Sequence, residues 1–86
     1  MPTLAIFYGI VIQIYWTDHP PPHFHARYAG HEAQIDIIKC EVLAGSLPRR
    51  AKAMVLEWTR EHQAELLAAW EAARVGQPCA KIAPLP

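Results

Sequence analysis

Three consecutive prolines, Pro20, Pro21 and Pro22, interrupt an otherwise apolar and β-rich N-terminal half. They have no backbone N–H and a fixed φ, so they cannot lie within a central strand, and they form a stiff extended connector between whatever precedes and follows them. Histidines flank them as His19, His23 and His25. The connector holds those side chains to a narrow set of directions, which makes Asp18–Tyr28 the segment on which a functional reading turns.

Before the prolines, the run from Leu4 to Trp16 is rich in Ile, Val, Tyr and Phe with Gly9 inside it, which predicts one or two short strands bending at the glycine. Ile10, Ile12, Ile14 and Trp16 are expected on one face, with Val11, Gln13 and Tyr15 on the other. After the prolines, His23-Phe24-His25-Ala26-Arg27-Tyr28 and Glu32-Ala33-Gln34-Ile35-Asp36-Ile37 both alternate polar with apolar. Ala29, Gly30 and His31 between them supply turn material, so the two runs read as a hairpin.

Parity constrains the register of this hairpin. Pairing apolar with apolar requires opposed residue numbers to sum to an odd value, most simply with Ala29 and Gly30 as the loop, which sets Phe24 opposite Ile35. The other face then carries a polar ladder of His23 opposite Asp36, His25 opposite Gln34 and Arg27 opposite Glu32. Lys39 and Cys40 suggest a second turn, and Glu41–Ala44 a final short strand ending at Gly45.

Downstream, Ser46 is the expected N-cap, Pro48 is tolerated in a first turn, and Gly76 with Pro78 supplies a stop, so one long helix over 48–74 is predicted. Ala51, Met54, Val55, Trp58, His62, Leu66, Ala69 and Ala73 recur at three- and four-residue steps as its core-facing stripe. Leu56, Leu67 and Trp70 widen the apolar surface. The tail, 77–86, carries three prolines and is expected to lie against the domain or a partner. The fold class is therefore α+β: a single domain over 1–86, with an antiparallel sheet of three to four strands in 4–47 packed on one long C-terminal helix.

Composition sets limits on function. Eight basic residues balance eight acidic ones, so there is no global field to draw the chain onto nucleic acid or an anionic membrane, and any such contact needs a local patch. The N-terminus lacks the pattern of a signal peptide and no apolar run approaches the length of a membrane span, which makes the cytoplasm the expected location and a membrane role unexpected. Cys40 and Cys79 stand far apart, as isolated reduced thiols do.

The segment Asp18-His19-Pro20-Pro21-Pro22-His23-Phe24-His25-Ala26 occurs with Gly45-Ser46-Leu47-Pro48-Arg49-Arg50, Glu57-Trp58, His62, Glu65-Leu66 and Lys81-Ile82-Ala83-Pro84-Leu85. Together they resemble a bacterial family, domain of unknown function 4160 (DUF4160), over nearly the whole chain. The resemblance names no reaction. It implies a toxin–antitoxin-associated role, with a small protein encoded nearby as partner and RNA as a target.

Several uses of the histidine segment follow from the residues themselves. His23 and His25 are two apart on a strand, so their imidazoles project from one face about 6–7 Å apart, as paired metal ligands or as a general acid and base. For a divalent metal such as zinc, His19 or Asp18 completes the set, giving His19, His23 and His25 as the candidate ligands, with Asp36 as a further ligand or as the acceptor that orients His23. For metal-independent RNA cleavage, His23 and His25 exchange protons, Arg27 holds the phosphate, and Tyr15 or Tyr28 assists. The plain alternative is a polar sheet face of hydrogen-bonded histidines, with Arg27 and Glu32 as a surface ion pair.

Arg49, Arg50 and Lys52 fall in the first turns of the helix, where the macrodipole disfavours cations. An RNA backbone or an acidic partner would relieve that conflict, as would pairing with Glu41 or Asp36 or simple solvation. His62, in the middle of the apolar stripe, is expected to be buried and bonded to a backbone carbonyl, away from the other histidines. A non-catalytic interaction module, using the wide helix face and tail for assembly, is the reading of a different class. A second copy at the open sheet edge, giving a homodimer, belongs with it.

Overall fold

The computed structural model describes residues 2–86. Five strands, β1 (Thr3–Phe7), β2 (Ile10–Gln13), β3 (His23–Tyr28), β4 (His31–Asp36) and β5 (Glu41–Gly45), form one sheet in the order of the chain. Each neighbouring pair is antiparallel. The chain continues into two helices, α1 (Arg49–Glu61) and α2 (Gln63–Arg74). The architecture is α+β as expected, but with five strands rather than three or four and two helices rather than one.

The extra strand comes from the segment before the prolines. Tyr8 and Gly9 both take positive φ, at 50° and 78°, and form a two-residue turn that folds Thr3–Phe7 back on Ile10–Gln13. The β3–β4 hairpin adopts the register predicted by parity, with Phe24 opposite Ile35, His23 opposite Asp36, His25 opposite Gln34 and Arg27 opposite Glu32. At Gly45, with φ +75°, β5 comes so close to β4 that a Cβ there would lie 2.2 Å from the Glu32 carbonyl oxygen, and only glycine fits.

One face of the sheet is apolar and closed by helix. Ile10, Ile12, Phe24, Ala26 and Ile35 are fully buried there, and Trp58 of α1 packs on Phe24 and Phe7 with ring centroids 5.8 and 5.3 Å apart. Val55, Leu66, Ala69 and Ala73 join this core as the stripe predicts, together with Thr59 and Trp70. Met54 and His62 are only half-buried. Ile14 is buried with Ile10 and Ile12, whereas Trp16, expected on the same face, lies beyond the ladder and is exposed.

The helix starts one residue later than expected and without a side-chain cap: Pro48 is the N-cap residue, while the Ser46 N–H donates to the Glu32 carbonyl. The break between α1 and α2 falls at His62, whose φ of −125° and ψ of 25° leave the helical region. No glycine or proline announces it. The His62 N–H still donates to the Trp58 carbonyl and Leu66 to the His62 carbonyl, so the apolar period runs through the break undisturbed. His62 is not a buried core histidine bonded to a carbonyl, because its Nδ1 lies 2.6 Å from the Glu65 carboxylate in the first turn of α2.

The proline-containing tail lies against the domain. Ile82 is buried and its N–H donates to the Leu4 carbonyl, while Trp58 Nε1 donates to the Ala83 carbonyl at 2.8 Å. Cys40 and Cys79 are free thiols. No helix among the described residues is long and apolar enough to cross a membrane.

Candidate functional site

The polar ladder on the other face of β3 is not the exposed working surface that alternation alone predicts. His23 and His25 are buried, with 1% and 5% of their surfaces accessible. The segment after β2 folds back over them: Tyr15 stacks flat on the His25 ring, with centroids 3.9 Å apart and planes 14° apart. Trp70 of α2 flanks His23 at 5.3 Å, and the Thr17 N–H ties the segment to the Ala73 carbonyl. Alternation reports which way a side chain points, and a loop crossing the sheet then decides whether water reaches it.

Asp18 arrives on this segment and meets both rings. Its Oδ2 lies 3.0 Å from His23 Nε2 and 3.4 Å from His25 Nε2. Asp18, His23 and His25 each offer one ligand atom within 4.8 Å of the other two. The short contact between His23 and Asp18 is not a hydrogen bond. The carboxylate oxygen lies off the direction an Nε2–H would take, and Nε2 is a buried nitrogen without a partner.

The outer nitrogens of both rings are occupied. His23 Nδ1 lies 2.7 Å from the Pro21 carbonyl oxygen, and His25 Nδ1 lies 3.3 Å from Glu32 Oε2. A carbonyl can only accept, so His23 carries a proton on Nδ1, and in the neutral form of the ring Nε2 is a bare lone pair beside Asp18. The proline connector, having no N–H of its own, contributes acceptors: Pro21 to His23, and Pro22 to the Ile37 N–H.

Burial alone would push the Asp18 carboxyl up. It is outweighed by the His19 backbone N–H, by a hydrogen bond from His25 and by the charges of His23 and His19, which together hold the group below the usual carboxylate value.

The other candidate residues divide clearly. His19 points outward, its side chain 77% accessible, with Nε2 3.8 Å from Asp18 Oδ1. Of the two proposed third ligands, Asp18 is the one inside the cluster. Arg27 bonds to Glu32 across the hairpin at 3.3 Å, the pairing expected from the register. Tyr28 is set apart from the histidines by the alternation of β3 and lines a cavity of about 610 Å³ with Tyr8, Ala51, Met54 and Leu85. Asp36 does not orient His23, because its Oδ1 accepts the N–H groups of Ile38 and Lys39 and closes the turn after β4.

Arg49, Arg50 and Lys52 are exposed at the start of α1, and among the described residues none forms an ion pair. The anticipated partners Glu41 and Asp36 do not reach them. Two contributors escaped the sequence reading: Glu32 as the acceptor for His25, and Trp70 as the wall beside His23. The first was within reach, since Glu32 is the next residue on the same face of β4 as Gln34, directly opposite His25.

The model of DUF4160, a domain of unknown function, matches residues 9–71. The chain belongs to this family. The match spans β2 to α2 and so includes Asp18, His23, His25 and Glu32. No curated protein and no solved structure is similar enough to match.

Proposed function

We propose that this member of DUF4160 is a metal-binding module in which Asp18 Oδ2, His23 Nε2 and His25 Nε2 ligate a divalent transition ion. One observation carries the reading: a buried His23 nitrogen without a hydrogen bond faces a carboxylate 3.0 Å away, while the other nitrogen of the ring is committed to Pro21. A bare nitrogen lone pair and a carboxylate oxygen this close repel, and a cation bound by both turns that repulsion into ligation. In a tetrahedral site with bonds of about 2.0–2.1 Å, neighbouring donors lie about 3.3 Å apart. The separations of 3.0 and 3.4 Å from Asp18 Oδ2 need little adjustment.

Metal-free protein titrated with zinc or cobalt tests this. Binding with thermal stabilisation is expected for the wild type and for His19→Ala, and its loss for His23→Ala, His25→Ala and Asp18→Ala. A wild type that takes up neither ion, with no shift in Tm, ends the reading. At an ion concentration a hundredfold above Kd, the stabilisation amounts to about 2.7 kcal/mol.

Burial of His23 and His25 fits direct cleavage of RNA poorly, since a phosphodiester lying on the sheet would meet Tyr15 and Asp18 first. A role in a toxin–antitoxin pair, with contact to RNA or to an acidic partner, is favoured at a different place by the unpaired cluster Arg49, Arg50 and Lys52. Filter binding of RNA to the wild type and to a variant with all three changed to Ala checks it. Equal retention of the two, or none, rules out that surface for RNA.

A further inference from the structure

Resting on the metal reading, we infer that Glu32, anchored by Arg27, is the positioning residue that fixes the tautomer of His25 and so makes the site a ligand set for late first-row transition ions. His23 has its tautomer dictated by a backbone carbonyl, which mutation of a side chain cannot remove. His25 meets a carboxylate at each nitrogen, Glu32 Oε2 3.3 Å from Nδ1 and Asp18 Oδ2 3.4 Å from Nε2. A carboxylate accepts and does not donate, so when an ion replaces the proton between Nε2 and Asp18, Glu32 holds the remaining proton on Nδ1 and the Nε2 lone pair is free to ligate.

Glu32 is itself held at several points. Its other oxygen, Oε1, forms an ion pair with Arg27 Nε at 3.3 Å across the hairpin. Its carbonyl accepts the Ser46 N–H, with Gly45 packed directly against it. The flat stack of Tyr15 restrains the His25 ring in the plane this geometry requires. With an ion at Nε2, the chain Arg27–Glu32–His25 is the arrangement by which an outer carboxylate raises the basicity of a ligating imidazole.

Two imidazoles and one carboxylate suit zinc, cobalt, nickel and copper, whereas magnesium and calcium favour oxygen ligands. Arg27, a candidate for holding a phosphate, acts here through Glu32. The half-exposed position of Glu32 makes Glu32→Gln a mild change for the fold.

The test has two readouts. In zinc-loaded protein, ring ¹⁵N shifts should show the His25 Nδ1–H hydrogen-bonded to a carboxylate in the wild type and that bond weakened in Glu32→Gln. Cobalt titration followed by visible absorption should give an affinity about 10- to 100-fold weaker in Glu32→Gln and a smaller loss in Arg27→Ala. Magnesium should not compete at equal concentration. A His25 that ligates through Nδ1 in the zinc-loaded wild type, or a Glu32→Gln variant unchanged in both readouts, overturns the inference and leaves the metal reading standing. A wild type that binds neither zinc nor cobalt overturns the metal reading, and the inference with it. Glu32→Ala, checked by its Tm, provides a second variant.

Discussion

The two faces of β3 hold the same number of buried side chains for opposite reasons. Phe24 and Ala26 point at the helices and are covered by Trp58 and its neighbours, an apolar burial that stabilises the fold by the area removed from water. His23 and His25 point the other way and are as dry, yet their burial desolvates polar rings and leaves one nitrogen without a partner. Burying a polar group without a hydrogen bond costs roughly 1–3 kcal/mol. A sheet face that only needed covering would be built more stably from valine or isoleucine. One face of the strand is therefore arranged for stability, and the other carries a cost that a cation at the proposed site would offset.

The largest expected effect lies on the stabilising face. Phe24→Ala removes a ring packed edge-on against Trp58 and should destabilise the protein by about 3–5 kcal/mol in denaturant titration, with or without metal. On the opposite face, His23→Leu should behave in the contrary sense. It removes the metal-dependent gain entirely, while the metal-free protein keeps its stability within about 1 kcal/mol or exceeds it, because an apolar side chain replaces an unsatisfied polar one beside Trp70. If His23→Leu is as costly in metal-free protein as Phe24→Ala, the two faces serve one purpose and the distinction between them fails.

The strand pairing that creates the two faces was legible in the sequence because β3 and β4 alternate cleanly and Ala29–Gly30 leaves a single short register. The closing strand at Glu41–Gly45 was legible from the turn at Lys39 and Cys40 before it and the glycine that ends it. Burial of the histidines was not, since it depends on Tyr15 and Asp18 folding across the sheet, a tertiary event with no periodic signature. Asp18 and His19 were equal candidates on paper because adjacent residues in an irregular segment carry no rule for which turns inward. The break at His62 was hidden by an apolar period that its hydrogen bonds let through. Trp58 and Ile82, noticed as motif residues, serve packing: both are buried in the core, and Trp58 bonds to the tail at Ala83.

A smaller effect sharpens the electrostatics of the polar face. Asp18 has a folded pKa below its ordinary 3.8, so the stability it contributes in metal-free protein is fully present above that value and is lost as pH falls through the lower folded one. Asp18→Asn should therefore be less stable than wild type at pH 5–7, by about 1–2 kcal/mol, with the gap closing only below about pH 4. Urea titrations across that range, in chelator, measure the gap. A difference that already vanishes near pH 6 would mean that carboxylate charge does not hold the site together.

The smallest effect tests whether polar burial elsewhere has the same character. Cys79, half-buried with its Sγ 3.4 Å from the Ala69 carbonyl, has its thiol pushed up by burial. The thiolate is the reactive form, so alkylation of Cys79 at pH 7–8 should be slower than that of a free thiol, in proportion to the thiolate lost. Time-resolved mass mapping of the alkylated peptide measures it. Added zinc should leave that rate unchanged, because Asp18, His23 and His25 form the proposed site and Cys79 is not in their cluster. Protection of Cys79 by zinc would place the ion at the thiol instead of on the polar face of β3.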